Sequence, residues 1–177
     1  MIGTVPGIGG GPMDALTVGP GGVLYGTTFF GGSGTNCSLP NGPGCGTVFQ
    51  LSPPAAAGES WTESILYSFT GTNRDGAFPS GSVVFGKNGV LYGTSQYGGN
   101  GGSFAFYGAS GCGTIFELTP PRLPGGTWTE TVHNFTGQNG DGAISIAGLT
   151  LSPTGALYGT TSRGGTSGRG SVFEIKP

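Results

Sequence analysis

Three stretches of this chain are nearly the same: "GVLYGTTFFGG" at 22–32, "GVLYGTSQYGG" at 89–99 and "GALYGTTSRGG" at 155–165. Tyr25, Tyr92 and Tyr158 therefore stand 67 and 66 residues apart. Self-similarity at a fixed period means that one supersecondary unit recurs. Such a unit buries its apolar faces only by stacking on its neighbours. Other positions keep step with the tyrosines. Phe49, Phe116 and Phe173 lie in "GTVFQL", "GTIFEL" and "GSVFEI"; Trp61 and Trp128 open "WTESILYSFTG" and "WTETVHNFTG"; Asp75 and Asp141 lie in "NRDGAFPSG" and "NGDGAISIAG".

Each unit reads as four short strands. The first lies near 15–18, 82–85 and 149–152, the second is the Leu-Tyr-Gly-Thr segment, the third carries the Val/Ile-Phe pair, and the fourth runs from Trp61 to Phe69 or from Trp128 to Phe135. Alternating apolar residues with Gly-, Pro- and Asn-rich joints are the pattern of half-buried antiparallel strands. No window has a helical period. The glycines, 41 of 177 residues with 13 prolines beside them, are read as turn and bulge positions of an all-β chain. Aromatics at 11% and a net charge of −2 set the chain apart from a disordered one.

Four antiparallel strands repeated at one period predict a β-propeller-like fold of three four-stranded blades, about 10–74, 75–140 and 141–177. The tyrosines of Leu-Tyr-Gly-Thr are expected to pack between blades, and its glycine to sit where backbones approach. The third blade lacks its outer strand unless residues 1–8 or a partner supplies it. Propellers usually need at least four blades. The expected solution is a homodimer closing a six-bladed ring, with a longer natural chain as the alternative. A channel is then expected along the first strands.

The segment "LYSFTG…DGAFPSGSVVFGKNGVLYGTSQYGG…GCGTIFELTP" resembles the GloVer repeat of Gloeobacter and Verrucomicrobia, over roughly residues 10–177. These repeats occur in secreted or surface-anchored bacterial proteins. The resemblance implies a propeller-like, extracytoplasmic repeat protein. It implies no reaction and carries over no catalytic residue. Within residues 1–177 three repeats are read and an anchor segment is not expected among them.

Six Lys and Arg, scattered without a basic stripe, exclude electrostatic nucleic-acid binding. No apolar run approaches the ~18–20 residues of a membrane helix. The start "MIGTVPGIGGGP" has neither the basic end nor the apolar core of a signal peptide.

Recurrence separates candidate sites from scaffold. Of the acids, Glu63 matches Glu130, Asp75 matches Asp141 and Glu117 matches Glu174; Asp14 and Glu59 are unmatched. The turns from Asn73 to Gly76 and from Asn139 to Gly142 are read as β-turns in which Asp accepts a local backbone bond and Gly takes positive φ, rather than as calcium loops. His133 is the sole histidine, too few for a multi-histidine metal site, and no nucleophile elbow accompanies it. Neither a metal nor a cofactor is expected. Cys37 and Cys45, eight residues apart in a Gly- and Pro-rich loop, are expected to form a disulfide in an oxidising compartment, leaving Cys112 free or intermolecular.

The loops between second and third strands are the most individual parts. Thr27 to Gly46 and Thr94 to Gly113 span 19 residues, but Thr160 to Gly170 only 10. The long loops carry Phe29, Phe30, Phe104, Phe106 and Tyr107, which are read as individual to their loops and are the predicted ligand-binding residues. The alternative for these rings is to cap the core or a blade interface. The expected function is a non-catalytic glycan- or protein-binding or surface-assembly module. The alternative is a hydrolase of polysaccharide or ester, which would need carboxylates and His133 converging in the channel or on the long-loop face.

Overall fold

The computed structural model describes residues 10–39, 42–72, 74–102 and 104–177. The first repeat contains β1 (Thr17–Val18), β2 (Leu24–Thr28), β3 (Ser38–Leu39), β4 (Gly42–Pro43), β5 (Thr47–Ser52) and β6 (Thr62–Ser68). The second contains β7 (Gly76–Phe85), β8 (Leu91–Gly98), β9 (Ala105–Phe106), β10 (Ala109–Ser110), β11 (Thr114–Thr119) and β12 (Thr129–Asn134). The third contains β13 (Gly142–Ala143), β14 (Thr150–Leu151), β15 (Leu157–Thr161), β16 (Arg163–Gly164) and β17 (Ser171–Ile175).

These strands build an all-β structure of antiparallel sheets. Sheet I has the order β1-β2-β5-β6, sheet II the order β7-β8-β11-β12 and sheet III the order β14-β15-β17. Each is a meander of sequential neighbours. The pairs β3–β4, β9–β10 and β13–β16 are two-stranded ribbons on the connecting loops. Among the described residues, no helix is long and apolar enough to cross a membrane. The possibility that residues 1–8 supply an outer strand falls on residues outside those described.

The register explains the recurring Leu-Tyr-Gly-Thr. Gly26 faces Phe49, Gly93 faces Phe116 and Gly159 faces Phe173 on the adjacent strand. A Cβ on these glycines would lie 2.7, 2.3 and 2.3 Å from the tip of the facing phenylalanine ring. The glycine is there to seat a ring, not to let two backbones meet. Next to it, a hydroxyl pair ties the second strand to the third: Thr28 to Thr47 at 2.8 Å, Ser95 to Thr114 at 2.8 Å, and Thr161 to Ser171 at 2.9 Å.

The sheets stack through two cores. Between I and II lie Val48, Phe69, Phe78, Val83, Leu91 and Phe116. Between II and III lie Tyr92, Ile115, Phe135, Leu149 and Leu157, with Phe173 and Ile175 against them. Backbone bonds recur at both joints. The Phe78 N–H donates to the Cys45 carbonyl at 2.7 Å, and the Ile144 N–H donates to the Cys112 carbonyl at 2.7 Å. Phe78 and Ile144 both take φ 56°, a left-handed conformation that is rare for a bulky or β-branched residue. The Thr27 hydroxyl donates across to the Gly81 carbonyl, and that of Thr94 to the Ala147 carbonyl.

Burial follows position in the stack. Val48 and Ile115 are buried, whereas Val172, their counterpart in sheet III, is 78% exposed. Tyr92 is buried against sheet III, and Tyr158, with no sheet beyond it, is 40% exposed. The first strand of the second repeat extends back to Gly76, across a register shift between Ser80 and Val84. The shift holds Gly81, at φ 87°, so close to the third repeat that a Cβ would lie 2.4 Å from the Gly148 nitrogen.

Candidate functional site

The two long loops meet. The Ser38 N–H donates to the Tyr107 carbonyl at 2.9 Å, and a Cβ on Gly108 would lie 2.2 Å from the Asn36 carbonyl oxygen. Cys37 and Cys45 are disulfide-bonded with 5.2 Å between their Cα atoms, which closes the first loop beneath this contact. Gly71 lies against both sulfurs, leaving no room for a side chain. In the second loop Cys112 is unpaired and buried, and burial pushes its thiol pKa up, with the Asp141 charge adding to the effect. At the position matching Gly71, Gly137 lies beside the Cys112 sulfur and the Phe104 ring. Phe104 thus fills the room that Cys37 takes in the first repeat.

Phe29, Phe30, Phe106 and Tyr107 come together, and Phe104 stands apart from them. Phe29 is 7% exposed and stacks on Phe78 at 5.0 Å, with Phe30 edge-on at 4.9 Å. Phe106 is 36% exposed; it stacks on Tyr97 at 5.2 Å and meets Phe78 edge-on at 5.6 Å. Tyr107 packs edge-on against Phe106 at 4.5 Å and is 45% exposed. The cluster therefore has a buried base, Phe29 and Phe78, and an open top, Phe106 and Tyr107. Phe78 and Tyr97 were not among the rings singled out from sequence. Phe78 sits at a repeat position filled by Ile144 and Gly11 in the other units, so no recurring ring marked it.

Tyr107 and Gly108 are the tip of the β9–β10 hairpin, at φ 44° and φ 93°. Two left-handed residues make the tight turn that suits a right-twisted hairpin, and the first of them is ordinarily Asn, Asp or Gly. A tyrosine there is strained, and the turn sets its ring at the loop tip against Phe106.

The recurring acids sit elsewhere. Asp75 accepts bonds from the N–H and hydroxyl of Thr70, and Asp141 from those of Thr136, so each closes the loop after its Phe-Thr-Gly. Positive φ falls at Gly71, Arg74, Gly137, Asn139 and Gly140, not at Gly76 or Gly142. These two glycines are required by close approach instead, to Ser95 and Thr161. Asn73 lies outside the described residues. Glu130 reaches back from β12 to accept a 3.0 Å bond from the Tyr67 hydroxyl of β6. One oxygen of Asp75 and one of Glu130 are buried without a partner. Burial, then the Asp75 charge, push the Glu130 pKa up to about 8, against the lowering effect of the Tyr67 bond. His133 is exposed on β12 opposite Ile115, with its ring 6.1 Å from Phe135.

The chain matches the Gloeobacter/Verrucomicrobia repeat over residues 4–177. It belongs to that repeat family. No curated protein sequence matches it. For this Gloeobacter/Verrucomicrobia repeat protein the match supports a repeat module, and the three stacked meanders give that module its physical form.

Proposed function

We propose that the chain is an extracytoplasmic β-propeller module, non-catalytic, that binds a glycan or a protein through the face where its two long loops meet. The observation that carries this reading is Tyr107, a strained aromatic held half-exposed at a hairpin tip over Phe106. Aromatic faces beside Ser, Asn and Gly give contact area with hydrogen-bonding neighbours. Phe29 and most of Phe30 act in this reading as the floor, with Phe104 to one side. The Cys37–Cys45 bond suits an oxidising compartment. The carboxyls of Asp75 and Glu130 point at Thr70 and Tyr67 in the joint between sheets, which ties them to stacking rather than to hydrolysis.

Glycan-array and protein-capture binding of the wild type and of Tyr107→Asn tests the reading. Asn suits the turn, so the variant should gain about 1 kcal/mol of stability and lose binding. A variant that loses stability and keeps its binding would make Tyr107 a core cap and sink the proposal.

The three repeats, about 10–74, 75–140 and 141–177, are the blades of this module, and two chains close a six-bladed ring. Gly11 stands where Phe78 and Ile144 stand at the two internal joints, and its φ of 63° already matches their 56°. Arg169 stands where Cys45 and Cys112 stand; like Cys45 it pairs with the glycine that begins the loop, Gly164 for Arg169 and Gly31 for Cys45. A two-fold pair joining the first sheet of each chain to the third of the other would repeat the internal joint at both seams. Light scattering at several dilutions should give twice the 17.5 kDa chain mass. A folded species of single-chain mass at every dilution would reject the ring.

A further inference from the structure

Both lysines of the chain, Lys87 and Lys176, line one cleft between the turns of the second and third repeats. The cleft is half open to solvent and offers about 960 Å³, room for a saccharide of several rings. Its origin can be read from a single difference between repeats. At the joint of sheets I and II, Phe85 meets Tyr25 edge-on at 4.9 Å and reaches over Gly19, where a Cβ would lie 2.8 Å from its ring. At the joint of sheets II and III the matching positions are Leu151, Tyr92 and Gly86. The three atoms nearest a Cβ on Gly86 all belong to the Tyr92 ring. The shorter Leu151 lines the cleft there, beside Tyr92, which keeps 8% of its surface exposed.

The two lysines of this cleft are not repeat residues. Lys87 occupies a position that is Pro20 and Pro153 in the other units, and Lys176 one that is Ser52 and Thr119. In a chain with only 8% charged residues, the charged side chains of this lining are Lys87, Lys176 and Glu174, which leaves a net positive charge. Glu174 lies 3.5 Å from Lys176, the only ion pair among the described residues, and so offsets part of that charge; Lys87 has no such partner there. Asn88, in the left-handed region at φ 57°, adds an amide at the mouth.

The geometry points to a second binding site, for an acidic saccharide: a sugar ring lies against Phe85 and the narrow exposed edge of Tyr92, and its carboxylate is met by Lys87 and Lys176. The ring–aromatic contact supplies apolar area, and the lysines supply charge-assisted hydrogen bonds that a neutral sugar cannot use. A carboxylate at Lys176 displaces Glu174 from it.

This site is independent of the long-loop face. Calorimetric titration with trigalacturonate, with maltotriose as the neutral control of equal length, tests it. Wild type should bind trigalacturonate saturably and at least about tenfold more tightly than maltotriose. The Lys87→Ala/Lys176→Ala double variant should lose that preference. Leu151→Phe restores the ring that closes the first joint, so it should abolish binding with the melting temperature unchanged or raised. Tyr107→Asn should leave binding intact, which separates failure here from failure of the loop-face reading. Absence of saturable binding by the wild type, equal affinity for maltotriose, or undiminished binding by a folded Leu151→Phe would each overturn the proposal.

Discussion

Raising the pH from about 5 to about 9 is expected to destabilise the protein, and Glu130→Gln is expected to remove most of that loss. Glu130 is pushed from an ordinary carboxylate value up to about 8 by burial and by the Asp75 charge. The unfolded chain releases this proton near pH 4.5, and the folded chain keeps it until about 8. Between those values the native state binds one more proton, so stability falls as pH rises, at up to about 1.4 kcal/mol per pH unit. It is fully present below the unfolded value and lost as pH climbs through the folded one. With the partial exposure of Glu130 discounted, a loss of about 3 kcal/mol is expected across the window. A glutamine has the shape of the protonated acid and no charge to bury. Denaturant unfolding at a series of pH values checks this. An equally steep decline in the glutamine variant would assign the dependence to another group.

Phe116→Ala should cost about 3–5 kcal/mol, a large share of the stability of an ordinary domain. Phe116 is fully buried, covers Gly93 within its own sheet and meets Phe69 of sheet I at 5.1 Å. Truncation therefore empties space within a sheet and across a joint at once. Phe173 is its counterpart in sheet III, with the same glycine beneath and Phe135 at 5.1 Å, but it is only half-buried. Phe173→Ala should cost about half as much, because an open edge leaves water in place of a void. Paired unfolding curves decide it. Equal losses would mean that the third sheet is covered as fully as the second.

The order of strands within each sheet was legible because alternation and turn residues act locally. The Val/Ile-Phe pairs and the tyrosines fall in strands where the period puts them, and the fourth strands begin at Thr62 and Thr129, one residue after each tryptophan. What sequence alone missed comes from contacts between residues about one repeat apart. Gly93 is a glycine because of Phe116, which no local rule links to it. Phe78 holds a left-handed φ because the Cys45 carbonyl of the preceding repeat takes its N–H. Phe29 and Phe106 looked alike as unmatched loop aromatics, yet one is the floor of a cluster and the other its top. Recurrence marked Asp75 and Glu130 as scaffold, and hid the fact that they meet around one tyrosine.

The sheets also differ in how many neighbours hold them. Sheet II is gripped on both faces; sheets I and III each pack on sheet II alone, and sheet III, one strand short and with the smaller core, turns Val172 and Tyr158 outward. With coupling confined to adjacent units, cooperativity decays along the stack as in a one-dimensional chain of domains. Within a single chain, partial opening therefore begins at the third meander and stops at the second. The protein frays like a rope from one end rather than melting throughout, and sheet II sets the global unfolding free energy.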